Sequence, residues 1–186
     1  KRQLLFWRCI TIFVVFVTTG VTIANRTGSD LENYIARLEI TNVIKNDTKR
    51  LATLNRLAND NNVKALIVSI NSPGGSVVGG EALYRSILRI KNKIPVVAVM
   101  NEVATSAGYM VAIAADHIFA QKGTITGSIG VIFQTAEVTD LLSKIGIKVE
   151  AIKSAPLKAE PSIFSKITPS VRAVTQKLVD DMNRMF

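Results

Sequence analysis

Residues 63–100 read VKALIVSINSPGGSVVGGEALYRSILRIKNKIPVVAVM. Val63–Ile70 is mostly apolar and rich in β-branched residues, the composition of a strand covered on both faces. Asn71–Gly80 gathers Pro, Ser and Gly, which interrupt regular structure and mark a loop. Glu81–Ile90 spaces its apolar residues for a helix, and Ile94–Met100 reads as a second buried strand. Strand, loop, helix and strand in that order predict a parallel α/β sheet.

The flanks continue the alternation. Tyr34–Ile44 alternates as a strand does. Asn46–Asp60 has a cap at Asp47 and leucines at 51, 54 and 57, a helix with one apolar face. Downstream, Thr135–Gly146 predicts a helix ending near Gly146, and IKVEAI (Ile147–Ile152) a strand. A polar loop, Lys153–Lys166, leads to a last helix opened by Thr168 at the cap and Pro169 at the first position. There is no internal repeat and no low-complexity stretch.

The chain has 186 residues, 48% of them hydrophobic, and a net charge of +9. That is enough for one domain with a sizeable core plus an appendage, and too apolar for disorder. Cys9 is the single cysteine, which excludes an intrachain disulfide and a cysteine-based metal site. The basic residues are spread along the chain, without a Lys/Arg tract interleaved with aromatics. A nucleic-acid partner is therefore not expected.

Leu4–Ala24 is apolar except for Arg8 and several threonines. Its uncharged part, Cys9–Ala24, would reach about 24 Å as a helix, short of a ~30 Å hydrocarbon core unless Arg8 snorkels and brings Leu4–Trp7 into the span. Residues 1–25 thus read as an N-terminal transmembrane anchor, with a cleaved signal peptide as the alternative. In both cases basic residues stay cytoplasmic and the rest lies across the membrane. Residues 26–33 are a polar linker, and 34–186 form the folded domain.

Three places can carry chemistry. In NSPGGSVVGGE (Asn71–Glu81), Gly74 and Gly79 have the separation of a phosphate loop, but Gly80 and Glu81 stand where it needs Lys and Ser/Thr. The nucleotide reading fails, leaving an oxyanion loop or an ordinary strand-to-helix turn. In ATSAGYM (Ala104–Met110), Ser106 is either a nucleophile on a sharp turn or a plain helix cap. The only histidine, His117, lies eleven residues on. In a continuous helix that is about 16 Å along the axis, beyond the ~3 Å reach of a base. A lysine is the other candidate base. At its ordinary pKa it is neutral in only about 1 in 2,500 molecules at pH 7, so burial must lower it. KSAPLKAEPS (Lys153–Ser162) offers Lys153 and Lys158, the latter among Pro156, Leu157, Ala159 and Pro161.

SINSPGGSV, ATSAGYMVAIAADHIFA, TGSIGVI and IKSAPLKAEPS stand in this order. Together they resemble the signal peptide peptidase A family of bacterial Ser–Lys serine proteases, from about Tyr34 to the end. NSPGG alone also resembles the Clp protease, which shares the crotonase-like superfamily but uses a histidine. The resemblance implies a Clp/crotonase-like fold of repeated ββα-type units with parallel strands. It assigns Ser106 as nucleophile, Lys158 as general base, Ser128 as the lysine's hydrogen-bond partner, and the Gly75 and Ala107 N–H groups as oxyanion donors. Ser72, Ser76 and Ser154 match no catalytic position. No cofactor or metal is implied.

The same resemblance implies an endopeptidase anchored in the bacterial inner membrane, its catalytic domain extracytoplasmic, degrading cleaved signal peptides and similar apolar peptides. It further implies a homo-oligomeric ring in which neighbouring subunits contribute serine and lysine. Ala107 and Met110 depart from residues that are often Gly and aromatic, which bears on the substrate pocket. Family chains usually continue past this end, so the domain is expected to be C-terminally incomplete. The rivals are a non-catalytic membrane-anchored scaffold of the same fold and a membrane-protein quality-control protease with the same dyad.

Overall fold

The computed structural model describes residues 3, 7, 10–19 and 32–186, in two units, Lys1–Tyr34 and Ile35–Phe186. In the first, residues 10–19 are helical. The hydroxyls of Thr11, Thr18 and Thr19 donate to carbonyls one turn back, so these threonines satisfy their own polar groups. Among the described residues no helix is long and apolar enough to cross a membrane. Much of the expected anchor and most of the 26–33 linker lie outside the described residues.

From Tyr34 onward the chain runs β1 (Tyr34–Thr41), α1 (Thr48–Leu57), β2 (Val63–Ser72), α2 (Val77–Lys91), β3 (Val96–Thr105), α3 (Ala107–Ala112), β4 (His117–Ala120), β5 (Ile125–Gly127), α4 (Thr139–Lys144) and α5 (Pro169–Asn183). The sheet order is β1-β2-β3-β4, with β5 also on β3. β3 pairs in parallel with β2, β4 and β5, the sheet that buried strands joined by helices require. Its first half faces β4 and its last three residues face β5.

Side-chain caps set where the helices start. Asp47 accepts from Lys49 and Arg50 N–H at the head of α1. Ser76 accepts from Gly79 N–H for α2, and Thr168 from Val171 N–H for α5. Leu54, Leu83, Ile87 and Ile90 then meet Leu66, Val68, Ile70, Val96 and Ala98 in the core, all nearly inaccessible to solvent. Each of the Leu, Ile and Val side chains stabilises the fold by about 1.5–3 kcal/mol.

The helix expected over Thr135–Gly146 is only Thr139–Lys144, α2 begins at Val77 inside the expected loop, and two further expectations differ more from the structure. The helix after Ser106 stops at Ala112, and the chain turns back to begin β4 beside the start of β3. Asp116 fastens that return: Val96 N–H donates to its Oδ2 at 2.8 Å, and its own N–H donates to Val96 O at 2.8 Å. Secondly, Ile147–Ile152 forms no strand. A strand needs a ladder partner, and none of the described strands runs beside it. Ile147 and Val149 are half exposed and Ile152 fully so.

Candidate active site

A register break positions Ser106. Ile70 is paired with Met100, but Ser72 with Ala104, so β3 carries extra residues opposite Asn71's stretch of β2. The Asn71 side chain takes up the slack by accepting from Val103 N–H at 3.2 Å. A bulge of this kind bends a strand and re-aims the residues beyond it. Thr105 then pairs with Gly127, and Ser106 N–H donates to Gly127 O at 2.8 Å. Ser106 takes φ 52° and ψ −124°, a conformation that costs a non-glycine residue about 1–3 kcal/mol. It stands at the helix N-cap position, yet its hydroxyl makes no capping hydrogen bond.

The Gly74–Gly75 loop lies against this turn, backbone to backbone. Gly74 has φ +101°, and a Cβ there would fall 2.7 Å from Ser106 Cβ. A Cβ on Gly75 would fall 2.0 Å from Ile44 O. Only glycines allow the approach. Ile44 N–H donates to Gly74 O at 2.7 Å and Ser76 N–H to Ile44 O at 2.9 Å, which leaves the Gly75 N–H outside the ladder. Ser72 is fully buried. Its Oγ donates to Asn42 O at 2.5 Å and accepts from Gly74 N–H at 3.1 Å. That support was not legible from sequence, where Ser72 matched no role.

Gly75, Ser106 and Ala107 line one cleft with Val77, Met110, Gly130, Val131 and Phe186. Among the described residues, neither the Gly75 nor the Ala107 N–H donates to a backbone carbonyl. Gly75, Ser106 and Ala107 thus share one narrow space of about 10 Å³, room for about one water. A cavity of about 410 Å³ between Ile132–Thr135 and α5 is lined by none of the five candidate residues.

The remaining candidates are placed differently. Ser128 follows Gly127 at φ 50° and is exposed. Lys158 is exposed on the loop between α4 and α5 and does not line the Ser106 cleft. Among the described residues no hydrogen bond joins Lys158 to Ser106 or Ser128. His117 is exposed in β4 opposite Val97, whereas Ser106 follows the far end of β3. At 3.3 Å per residue, that is about 25–30 Å away along the strand.

The sequence profile of peptidase family S49 matches residues 89–186, just over half of the chain. A Synechocystis sp. protein named as a protease is 38% identical over 154 residues, covering 82% of this chain and 55% of its own length. An Enterococcus faecium protein named as the signal peptide peptidase SppA is 33% identical over 130 residues, covering 69% of this chain and 38% of its own. The chain therefore spans about half or less of these relatives. Among solved structures, the 1510-N membrane-bound stomatin-specific protease is 22% identical with a TM-score of 0.48, over 57% of this chain and 52% of that one. The strained Ser106 lies inside the matched profile and the paired glycines precede it, and the match over more than half of the chain leads to one assignment: the chain belongs to peptidase family S49, the signal peptide peptidase family that its four motifs resemble.

Proposed function

We propose that the chain is the catalytic part of a Ser–Lys endopeptidase with a Clp/crotonase-like fold. The observation that carries this reading is the strained Ser106 turn, whose hydroxyl makes no capping hydrogen bond, in one cleft with Gly75 and Ala107. In the mechanism, Lys158 Nζ takes the Ser106 proton as Oγ bonds to the peptide carbonyl carbon. The carbonyl electron pair moves onto oxygen, where the two amides stabilise it. Collapse breaks the C–N bond and the leaving amine takes the proton from Lys158. Water then attacks the ester with Lys158 again as base, and Ser106 Oγ leaves and recovers its proton. An oxyanion donor of this kind contributes about 10²–10³ in rate.

Lys158 must be neutral to act, and it is exposed in the isolated chain. The reading therefore includes a homo-oligomeric ring in which a neighbouring copy covers Lys158 and brings it, with Ser128, to Ser106. Signal peptides and other apolar fragments are the proposed substrates, supported by the name of the Enterococcus faecium relative. Anchoring by residues 1–25 in the inner membrane, with the domain extracytoplasmic, belongs to the same proposal. A fluorophosphonate probe and a peptide-hydrolysis assay test it. Ser106→Ala should lose labelling and turnover, and Lys158→Ala should lose turnover. Substantial hydrolysis by either variant rejects the dyad. The exposed Lys158 is what favours the rival, a non-catalytic scaffold, and unlabelled wild-type protein would support that rival.

A further inference from the structure

The KSAPLKAEPS stretch that carries Lys158 contains a second lysine, and the two are treated differently. Lys153 Nζ forms an ion pair and hydrogen bond with the Glu160 carboxylate. Glu160 also accepts from Ser162 N–H at 3.0 Å and from the Ser165 hydroxyl at 3.2 Å. Its side chain is only 10% exposed and that of Lys153 21%, although the surrounding loop is open to solvent. A carboxylate with this many donors is firmly held. Lys158 has no such tie among the described residues, and its N–H donates to Ala155 O at 3.1 Å within a tight turn. Between Lys158 and the anchor lies Ala159 at φ 59°, a left-handed conformation that persists in a non-glycine residue only where its surroundings enforce it.

We infer that Glu160 is a positioning residue for the base: tied to Lys153, Ser162 and Ser165, it fixes the turn that holds Lys158 outward with a free amine. The inference rests on the Ser–Lys reading above and sharpens it, since it gives each lysine of the motif one job. Lys153 is committed to the anchor and Lys158 is kept for the proton. Loss of the anchor leaves the substrate cleft intact and misplaces the base, so it acts on turnover rather than on binding.

Steady-state hydrolysis of one peptide by the full chain tests this, with Glu160→Ala, Lys153→Met, Lys153→Arg and Lys158→Ala compared, and thermal unfolding followed in parallel. Glu160→Ala and Lys153→Met should lower kcat by up to ~10²-fold, the scale of a small misplacement of a catalytic group, with KM within about threefold. Lys153→Arg, which restores the ion pair, should recover most of that loss. Wild-type kcat in Glu160→Ala, with Lys158→Ala inactive, overturns the positioning role and leaves the dyad standing. An active Lys158→Ala overturns both. If Glu160→Ala does not fold, equal kcat for Lys153→Met and Lys153→Arg overturns the proposal, and a difference between them supports it.

Discussion

Ser106 keeps an unfavourable backbone conformation because its neighbours leave no other path. Its N–H is bonded to Gly127, and Gly74 lies directly against its Cβ. Gly74→Ala would add a methyl 2.7 Å from Ser106 Cβ at a φ of +101°. We expect it to destabilise the domain by about 1–3 kcal/mol in urea unfolding and to lower hydrolysis further, through displacement of the serine. Ser72 allows a cleaner measurement. Ser72→Ala strands the buried Gly74 N–H, a cost of about 1–3 kcal/mol, and removes the donor to the Asn42 carbonyl, without touching the cleft itself. Activity falling more steeply than stability in this variant would identify the loop, rather than the fold, as the affected part.

Elements were readable where the pattern is local. The Asp47 cap, the Leu54 face of α1, the buried β2 and β3, and the Thr168–Pro169 start of α5 all stem from short-range spacing. Asp47→Ala should cost about 1 kcal/mol, measured as a shift of the thermal midpoint. What escaped the sequence depends on partners distant along the chain. The β3 bulge is held by Asn71, thirty-two residues away, and IKVEAI has strand-like residues but no neighbouring strand. The site divides in the same way. Gly75, Ser106 and Ala107 come together because a strand and a loop meet, whereas no residue pattern states that Lys158 stays outside the cleft. Asp116 belongs with the unreadable contacts and has a pH signature. The Val96 N–H, with help from Lys91, holds its carboxyl below the ordinary value. Its contribution is complete above the unfolded carboxylate pKa and is lost as pH falls through the lowered folded one. Asp116→Asn should therefore flatten the acid side of a plot of thermal midpoint against pH.

Across the whole second unit, burial is unevenly shared. Of residues 118–186 only Val171 is buried, while Ile132 is 82% and Ile152 99% exposed. In the proposed ring, other copies cover these side chains and complete the dyad. Mixing Ser106→Ala with Lys158→Ala then tests for shared sites. Co-assembled variants should regain up to about a quarter of wild-type turnover if serine and lysine come from different copies at random, and none if each copy supplies both. The exposed apolar half also has a thermodynamic consequence. A segment whose core is supplied by other molecules is governed by mass action, so its thermal midpoint should climb with protein concentration and turnover per chain should fall on dilution. Such an enzyme would be silent while scattered and active only where its copies are crowded together.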